Sequence, residues 1–146
     1  MGFRFTCSKL SSVKSDDMKR LYMLTNQGNR GSTMRMWLND YKATRNSSYL
    51  DGTYDYNYTI MLVRDENHYI VGWATCSGYG LLGVYVDPQF RMQGLGYKLI
   101  VKLCERLSTK VFNARPSDVG GYHMYCKAHK FLSKAGKKIK IDYPQS

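Results

Sequence analysis

The sequence predicts a single α+β domain, and three observations carry that reading. Apolar, β-branched runs of strand length alternate with stretches whose apolar residues recur at helical spacing. One strand-like run, residues 81–86, passes through a glycine-bearing turn directly into an amphipathic helix. The 146 residues, 43% of them hydrophobic, suffice for one core, and no break in composition divides 1–146 into two units.

The elements follow in order. Phe3 to Lys9 reads as a short first strand, and Ser15-Asp-Asp supplies an N-cap and an acidic first turn for a helix through about Thr25. Asn26-Gln-Gly-Asn-Arg-Gly31 breaks it, and Ser32 or Thr33 caps a second helix with Met34, Trp37, Leu38 and Tyr41 on one face. Asn46 to Asn57 is a polar, tyrosine-rich loop. Tyr58 to Arg64 and His68 to Thr75 flank Asp65-Glu-Asn67 as a hairpin. A turn at Ser77-Gly-Tyr-Gly80 leads to the strand Leu81-Leu-Gly-Val-Tyr-Val86, and a helix follows with Leu95, Leu99, Leu103 and Ile100 or Leu107 inward. Lys110 to Ala114 is a strand, Pro116-Ser-Asp118 its exit and a cap, and Tyr122 to Ala135 a helix.

The strand–turn–helix junction carries the chemistry. Asp87-Pro88 ends the strand, and Gly94 and Gly96 open the helix. Glycines there let backbone N–H groups approach an anion, and the unpaired amides of a first helical turn complement its charge. A dinucleotide site of the Gly-x-Gly-x-x-Gly type needs a third glycine, which is missing. A Walker loop needs Gly-Lys-Ser/Thr, which does not follow.

On these residues the chain resembles the GNAT superfamily of acetyl-CoA-dependent N-acetyltransferases. That family's signature is Arg/Gln-x-x-Gly-x-Gly/Ala after a strand ending in Val-x-Pro. Here the positions read Val86-Asp-Pro88, Arg91-Met-Gln-Gly94-Leu-Gly96 and then Leu99. Further on, Asp118-Val-Gly-Gly121-Tyr-His-Met124-Tyr125-Cys-Lys127 keeps the spacing of the family's Asn-x-x-Ala-x-x-Leu-Tyr-x-Lys, with Asp for Asn, Gly for Ala and Met for Leu. The usual Gly-Phe after that helix is absent at its normal spacing.

The resemblance implies a central mixed, mostly antiparallel twisted sheet flanked by about four helices and splayed, at a bulge, beside the signature strand. It implies acetyl-CoA as cosubstrate, no metal, and acetyl transfer directly to an amine acceptor whose identity stays open. Val84, Tyr85 and Val86 would contact the pantetheine arm, with an N–H near Val84 polarising the thioester carbonyl. Gln93, Gly94, Leu95, Gly96 and Tyr97, in one turn with Met92, would present amides to the pyrophosphate, and Arg91 and Lys98 would supply cations. Tyr125 stands at the family's general-acid position; its plainer reading is a packed helix tyrosine, and Tyr122 is the fallback. Where some members carry a glutamate base, this chain has Gly80. Asp87, Asp118, His123 or a water relay would then replace it, and the base stays unassigned. Elements that vary across the family, here Gln27 to Gly31 and Tyr49 to Tyr58, would form the acceptor site. One terminal strand, ending near Tyr143, where the family usually has two, implies an open cleft or one completed by another subunit.

Composition bounds the partners. The net charge of +11, from 22 Lys and Arg against 11 Asp and Glu, favours anions: CoA, an acidic surface or nucleic acid. Lys127, Lys130, Lys134 and Lys137 fall at helical spacing, with Lys138 and Lys140 extending the tract; a solvated face is the plainer reading and a nucleic-acid track the sharper one. A nucleic-acid-modifying enzyme and a non-catalytic acyl-CoA or nucleic-acid binding module are therefore the alternatives. Cys7, Cys76, Cys104 and Cys126 lack zinc or disulfide spacing and read as reduced, with Cys76 in a strand and Cys104 in a helix as buried small hydrophobes. Met1-Gly-Phe-Arg-Phe-Thr6 fits a myristoylation pattern too short to carry weight. No run reaches the roughly 18 apolar residues of a membrane span and no signal-peptide core opens the chain, so a cytoplasmic protein without membrane partners is expected.

Overall fold

The computed structural model describes residues 2–27 and 58–143. The expected second helix and the tyrosine-rich loop lie outside the described residues. The order is β1 (Arg4–Lys9), α1 (Ser15–Gln27), β2 (Thr59–Arg64), β3 (Ile70–Cys76), β4 (Leu81–Val86), α2 (Leu95–Arg106), β5 (Val111–Ala114), α3 (Val119–Ser133) and β6 (Lys138–Ile141). All six strands form one sheet in chain order: β1 to β4 are antiparallel, and β4–β5 and β5–β6 are parallel. The two parallel pairs follow from the crossovers through α2 and α3.

The sheet separates two apolar layers. On one face, Leu99, Ile100 and Leu103 of α2 and Ala128 and Leu132 of α3 pack on Met61, Val63, Val71, Phe112 and Ile139. On the other, Met18, Leu21 and Leu24 of α1 cover Ile60, Leu62, Ile70, Trp73 and Tyr85. Each fully buried Leu or Ile is worth about 1.5–3 kcal/mol. Trp73 and Tyr85, opposite each other on β3 and β4, hold their rings 4.8 Å apart.

Several boundaries differ from the sequence reading for local reasons. The first helical bond of α1 runs from the Met18 N–H to the Lys14 carbonyl, so Ser15 is inside the helix and Lys14 precedes it. β3 starts at Ile70 because the Asp65 carboxylate accepts from the Asn67 and Tyr69 amides, which extends the turn through left-handed His68. α3 starts earlier, at Val119, because Asp118 Oδ1 caps the Gly121 amide at 2.7 Å. It also ends earlier: Gly136 is left-handed, and the Lys137 amide bonds back to the Leu132 carbonyl.

That last turn dissolves the expected lysine face. Lys137 is 8% exposed, and its ammonium donates to the carbonyls of Cys104 and Leu107 at the end of α2. Lys138 and Lys140 leave for β6, Lys127 turns toward Tyr97, and Lys130 and Lys134 stay on the surface. Among the described residues no helix is long and apolar enough to cross a membrane.

Candidate active site

β4 and β5 part almost as soon as they meet. Their ladder consists of Leu81 with Asn113 and Leu82 with Ala114, whereas β3 follows β4 as far as Val86. The expected splay is therefore present, but the β3–β4 register is continuous; the sheet's register shift lies between Val63 and Arg64. Divergence of the two strands, not a bulge in β4, opens the gap. Asp87 donates its amide to Val71 on the β3 side, and amide direction alternates along a strand. The N–H groups of Val84 and Val86 therefore face the gap.

The gap widens into a cleft of about 870 Å³. Val84, Val86 and the α2 start form one wall; Pro116, Gly120, Gly121, Met124 and Tyr125 form the other. Asp87 fixes the approach to α2: its Oδ1 accepts from the Gln89 amide, and its Oδ2 lies 3.9 Å from Arg20 of α1. Met92 and Gly94 both have positive φ, which turns the chain sharply into the helix. The helical ladder begins with the Lys98 N–H on the Gly94 carbonyl at 3.1 Å, so the amides of Leu95, Gly96 and Tyr97 precede it at the positive end of the helix dipole. A Cβ on Gly96 would lie 2.7 Å from Met124 Sδ, so this glycine lets α2 and α3 approach across the cleft. One on Gly94 would meet nothing within 4 Å. The two glycines thus act differently, Gly94 through its backbone and Gly96 through its missing side chain.

A strand that splays beside a glycine-opened helix, with a tyrosine of the next helix in the facing wall, matches the arrangement the motifs imply. A family model described as the acetyltransferase (GNAT) family matches residues 18–131. The chain belongs to the GNAT acetyltransferase family. It is similar in structure to a GNAT superfamily phosphinothricin acetyltransferase from Sinorhizobium meliloti solved with AcCoA, at 18% identity and a TM-score of 0.47, covering 70% of this chain and 58% of that one. It is also similar to a putative acetyl transferase from Pyrococcus furiosus, at 11% identity and a TM-score of 0.40, covering 98% and 83%. A search of curated proteins gives no match.

Within this GNAT cleft the singled-out residues divide. Val84, Val86, Met92, Gly94, Leu95, Gly96 and Tyr97 line it. Tyr85 also reaches the lining, but its ring is buried on the opposite face of the sheet against Trp73. Gln93 and Lys98 are exposed outside the lining. Arg91 folds back: its Nε donates to the Val86 carbonyl at 2.9 Å, and its guanidinium lies 5.5 Å from the Tyr85 ring centre. Lys127 also lines the cleft, with its Nζ 4.6 Å from the Tyr97 ring centre. Helical spacing assigns Lys127 to the lysine face, yet it occupies the lysine of the Tyr-x-Lys pattern and lines the cleft. Thr75 and Arg115 line the cleft with no motif to announce them, and Tyr58, the last residue of the stretch expected to form the acceptor site, lines it too.

The acid and base candidates divide as well. Tyr125 is 4% exposed within the α3 wall. Tyr122 is outside the lining; it stacks on Tyr143 at 5.1 Å, and its bond with Cys126 raises its pKa. Asp87 and Asp118 are committed to caps, and His123 lines the cleft from an exposed position beside Tyr122. Gly80 has φ +85°, and a Cβ there would lie 3.1 Å from the Val111 carbonyl oxygen, so the backbone at this position disfavours a glutamate. Burial pushes the Cys76 thiol up to about 11 and the Cys104 thiol to about 12, which suits inert core thiols. Cys7 and Cys126 are only half-buried.

Proposed function

We propose that this GNAT protein transfers the acetyl group of acetyl-CoA directly to an amine. The observation that carries the reading is the β4–β5 gap, which aims the Val84 N–H into a cleft bounded by the start of α2 and by Tyr125. Pantetheine lies along β4 with its amides bonded to Val84 and Val86. The pyrophosphate sits on the amides of Leu95, Gly96 and Tyr97, with Lys127 as the flanking cation. Arg91, tied to the Val86 carbonyl, fixes the end of the strand.

The Val84 N–H stabilises the oxyanion that forms when the amine nitrogen attacks the thioester carbon. The C–N bond forms, the C–S bond breaks, and the departing sulfur takes a proton from the Tyr125 hydroxyl. The nitrogen gives up one proton through water, which restores Tyr125 and balances the step. With Asp118 in the lining committed to the α3 cap and Asp87 outside it, the acceptor enters as the free base, and holding it beside the thioester supplies much of the rate.

Calorimetry with acetyl-CoA and a CoA-release assay over an amine panel test the proposal. Tyr125→Phe should cut kcat about 10²–10⁴-fold with the acetyl-CoA Kd unchanged, the range usual for a lost general acid. A Phe variant with wild-type kcat would remove Tyr125 from the mechanism, and absence of acetyl-CoA binding would refute the reading as a whole.

A further inference from the structure

The outer strands carry opposite chemistry on their two faces. Phe112, Ala114 and Ile139 are buried under α2 and α3, whereas Val111, Asn113, Lys138 and Lys140 are exposed on the other side. The register sets Val111 beside Lys138, and Leu81, Asn113 and Lys140 in one row. Among the described residues, the α1 layer covers this side of the sheet only as far as Tyr85. Arg115 continues the alternation of β5 into the cleft lining, with its side chain 76% exposed and its Nε 4.0 Å from Asp142 Oδ2.

This face leads into the gap at Gly83. Gly83 pairs with Thr75 across β4 and β3, a Cβ on Gly83 would crowd Thr75 Oγ1 at 3.1 Å, and both residues line the cleft, with Thr75 3% exposed. The approach therefore passes Lys138, Lys140 and Arg115 against Asp142, which Arg115 already faces. A chain of net charge +11 presents a positive doorway on the side away from the α2 start.

We propose that the acceptor is an amine that also bears an anionic group, a carboxylate or a phosphate, and that it enters over the β5–β6 face past Arg115 to Gly83. The inference rests on the transferase reading above and names its substrate class. A positive approach slows polyamines and lysine-rich peptides and steers amines of net negative charge. Nearby cations also disfavour the ammonium form of the amine, and so favour the free base in a cleft where the lining carboxylate of Asp118 caps α3.

Calorimetry with acetyl-CoA comes first, so that failure of the transferase reading shows separately as absence of binding. CoA release is then followed with glutamate, an acidic dipeptide, glucosamine 6-phosphate and spermidine at low and high salt. At least one anionic amine should exceed spermidine in kcat/KM by tenfold or more, with the margin shrinking as salt rises. The better of the carboxylate and phosphate arms identifies the anion. Arg115→Glu should reverse the order, and Lys138→Glu/Lys140→Glu should narrow it, with the acetyl-CoA Kd unchanged in both. Preference for spermidine or a lysine-rich peptide overturns the proposal, as does an order unchanged by Arg115→Glu. Acetyl-CoA binding with turnover of none of these amines, or only of amines attached to nucleic acid, also overturns it.

Discussion

At the scale of single residues, two glycines that look alike in the sequence do unlike things. Gly96 is a matter of space: its missing Cβ leaves room for Met124 Sδ, the mobile end of a flexible side chain. Gly96→Ala should therefore change stability by less than about 1 kcal/mol, helped by the better helix propensity of alanine. Because Met124 is displaced into the cleft, acetyl-CoA affinity should fall at least several-fold. Chemical denaturation beside calorimetry checks both, and unchanged affinity would mean that the ligand does not pass Met124. Gly80 is a matter of backbone: φ is +85°, and the Val111 carbonyl crowds any side chain. Gly80→Ala should cost about 1–2 kcal/mol, the usual penalty of left-handed backbone for an L-residue, read as a lower denaturation midpoint. The same constraint explains why a carboxylate base is missing from this position.

At the scale of elements, the end of α2 shows how one lysine joins two parts of the chain. Lys137, on the turn between α3 and β6, donates to the Cys104 and Leu107 carbonyls and lies 5.9 Å from the Phe112 ring centre. Those carbonyls lie at the end of α2, where the Cys104 carbonyl also accepts from the Leu107 amide at 3.3 Å, so a buried cation there serves both the hydrogen bonds and the dipole. Lys137→Met keeps the stem and removes the charge. It should destabilise the protein by about 1–3 kcal/mol, the cost of taking a charged donor from buried acceptors, with the midpoint of thermal unfolding as the readout. Spacing alone placed Lys137 on a helix face, since 127, 130, 134 and 137 fit the helical period; only the left-handed Gly136, which reverses the chain, takes it off. The strand–turn–helix order of β4 and α2 was legible because local rules fix it: β-branched residues, Asp87-Pro88 and a glycine-opened helix. The β4–β5 gap was legible only through resemblance, since divergence of two strands leaves no local mark. Thr75 and Arg115 were illegible because they reach the cleft through register and strand alternation across the sheet, which no sequence window contains.

At the scale of the whole molecule, the interior is set against titration on the alkaline side. Cys76 and Cys104 share one core layer, and burial raises them to about 11 and about 12 from 9.0. After burial, the Cys76 thiolate and Glu105 raise Cys104 further, and Lys137 offsets only part of this. The sign of the linkage follows from the protons each state holds. Below pH 9 both thiols are protonated whether the chain is folded or not, and they contribute no slope. Above pH 9 the unfolded chain releases these protons while the folded chain keeps them, so stability falls as pH rises toward 11–12. Each thiol adds a slope of at most about 1.4 kcal/mol per pH unit over that window. Tyrosines and lysines titrate in the same range, so the measurement is a difference: denaturant midpoints between pH 7 and 10.5 for the native protein and for Cys76→Ala/Cys104→Ala. The double variant should start less stable, because it loses buried sulfur, yet decline less steeply above pH 9. Parallel curves would mean that the core admits the thiolates, and the layer between α2 and the sheet would then be wetter than its packing implies.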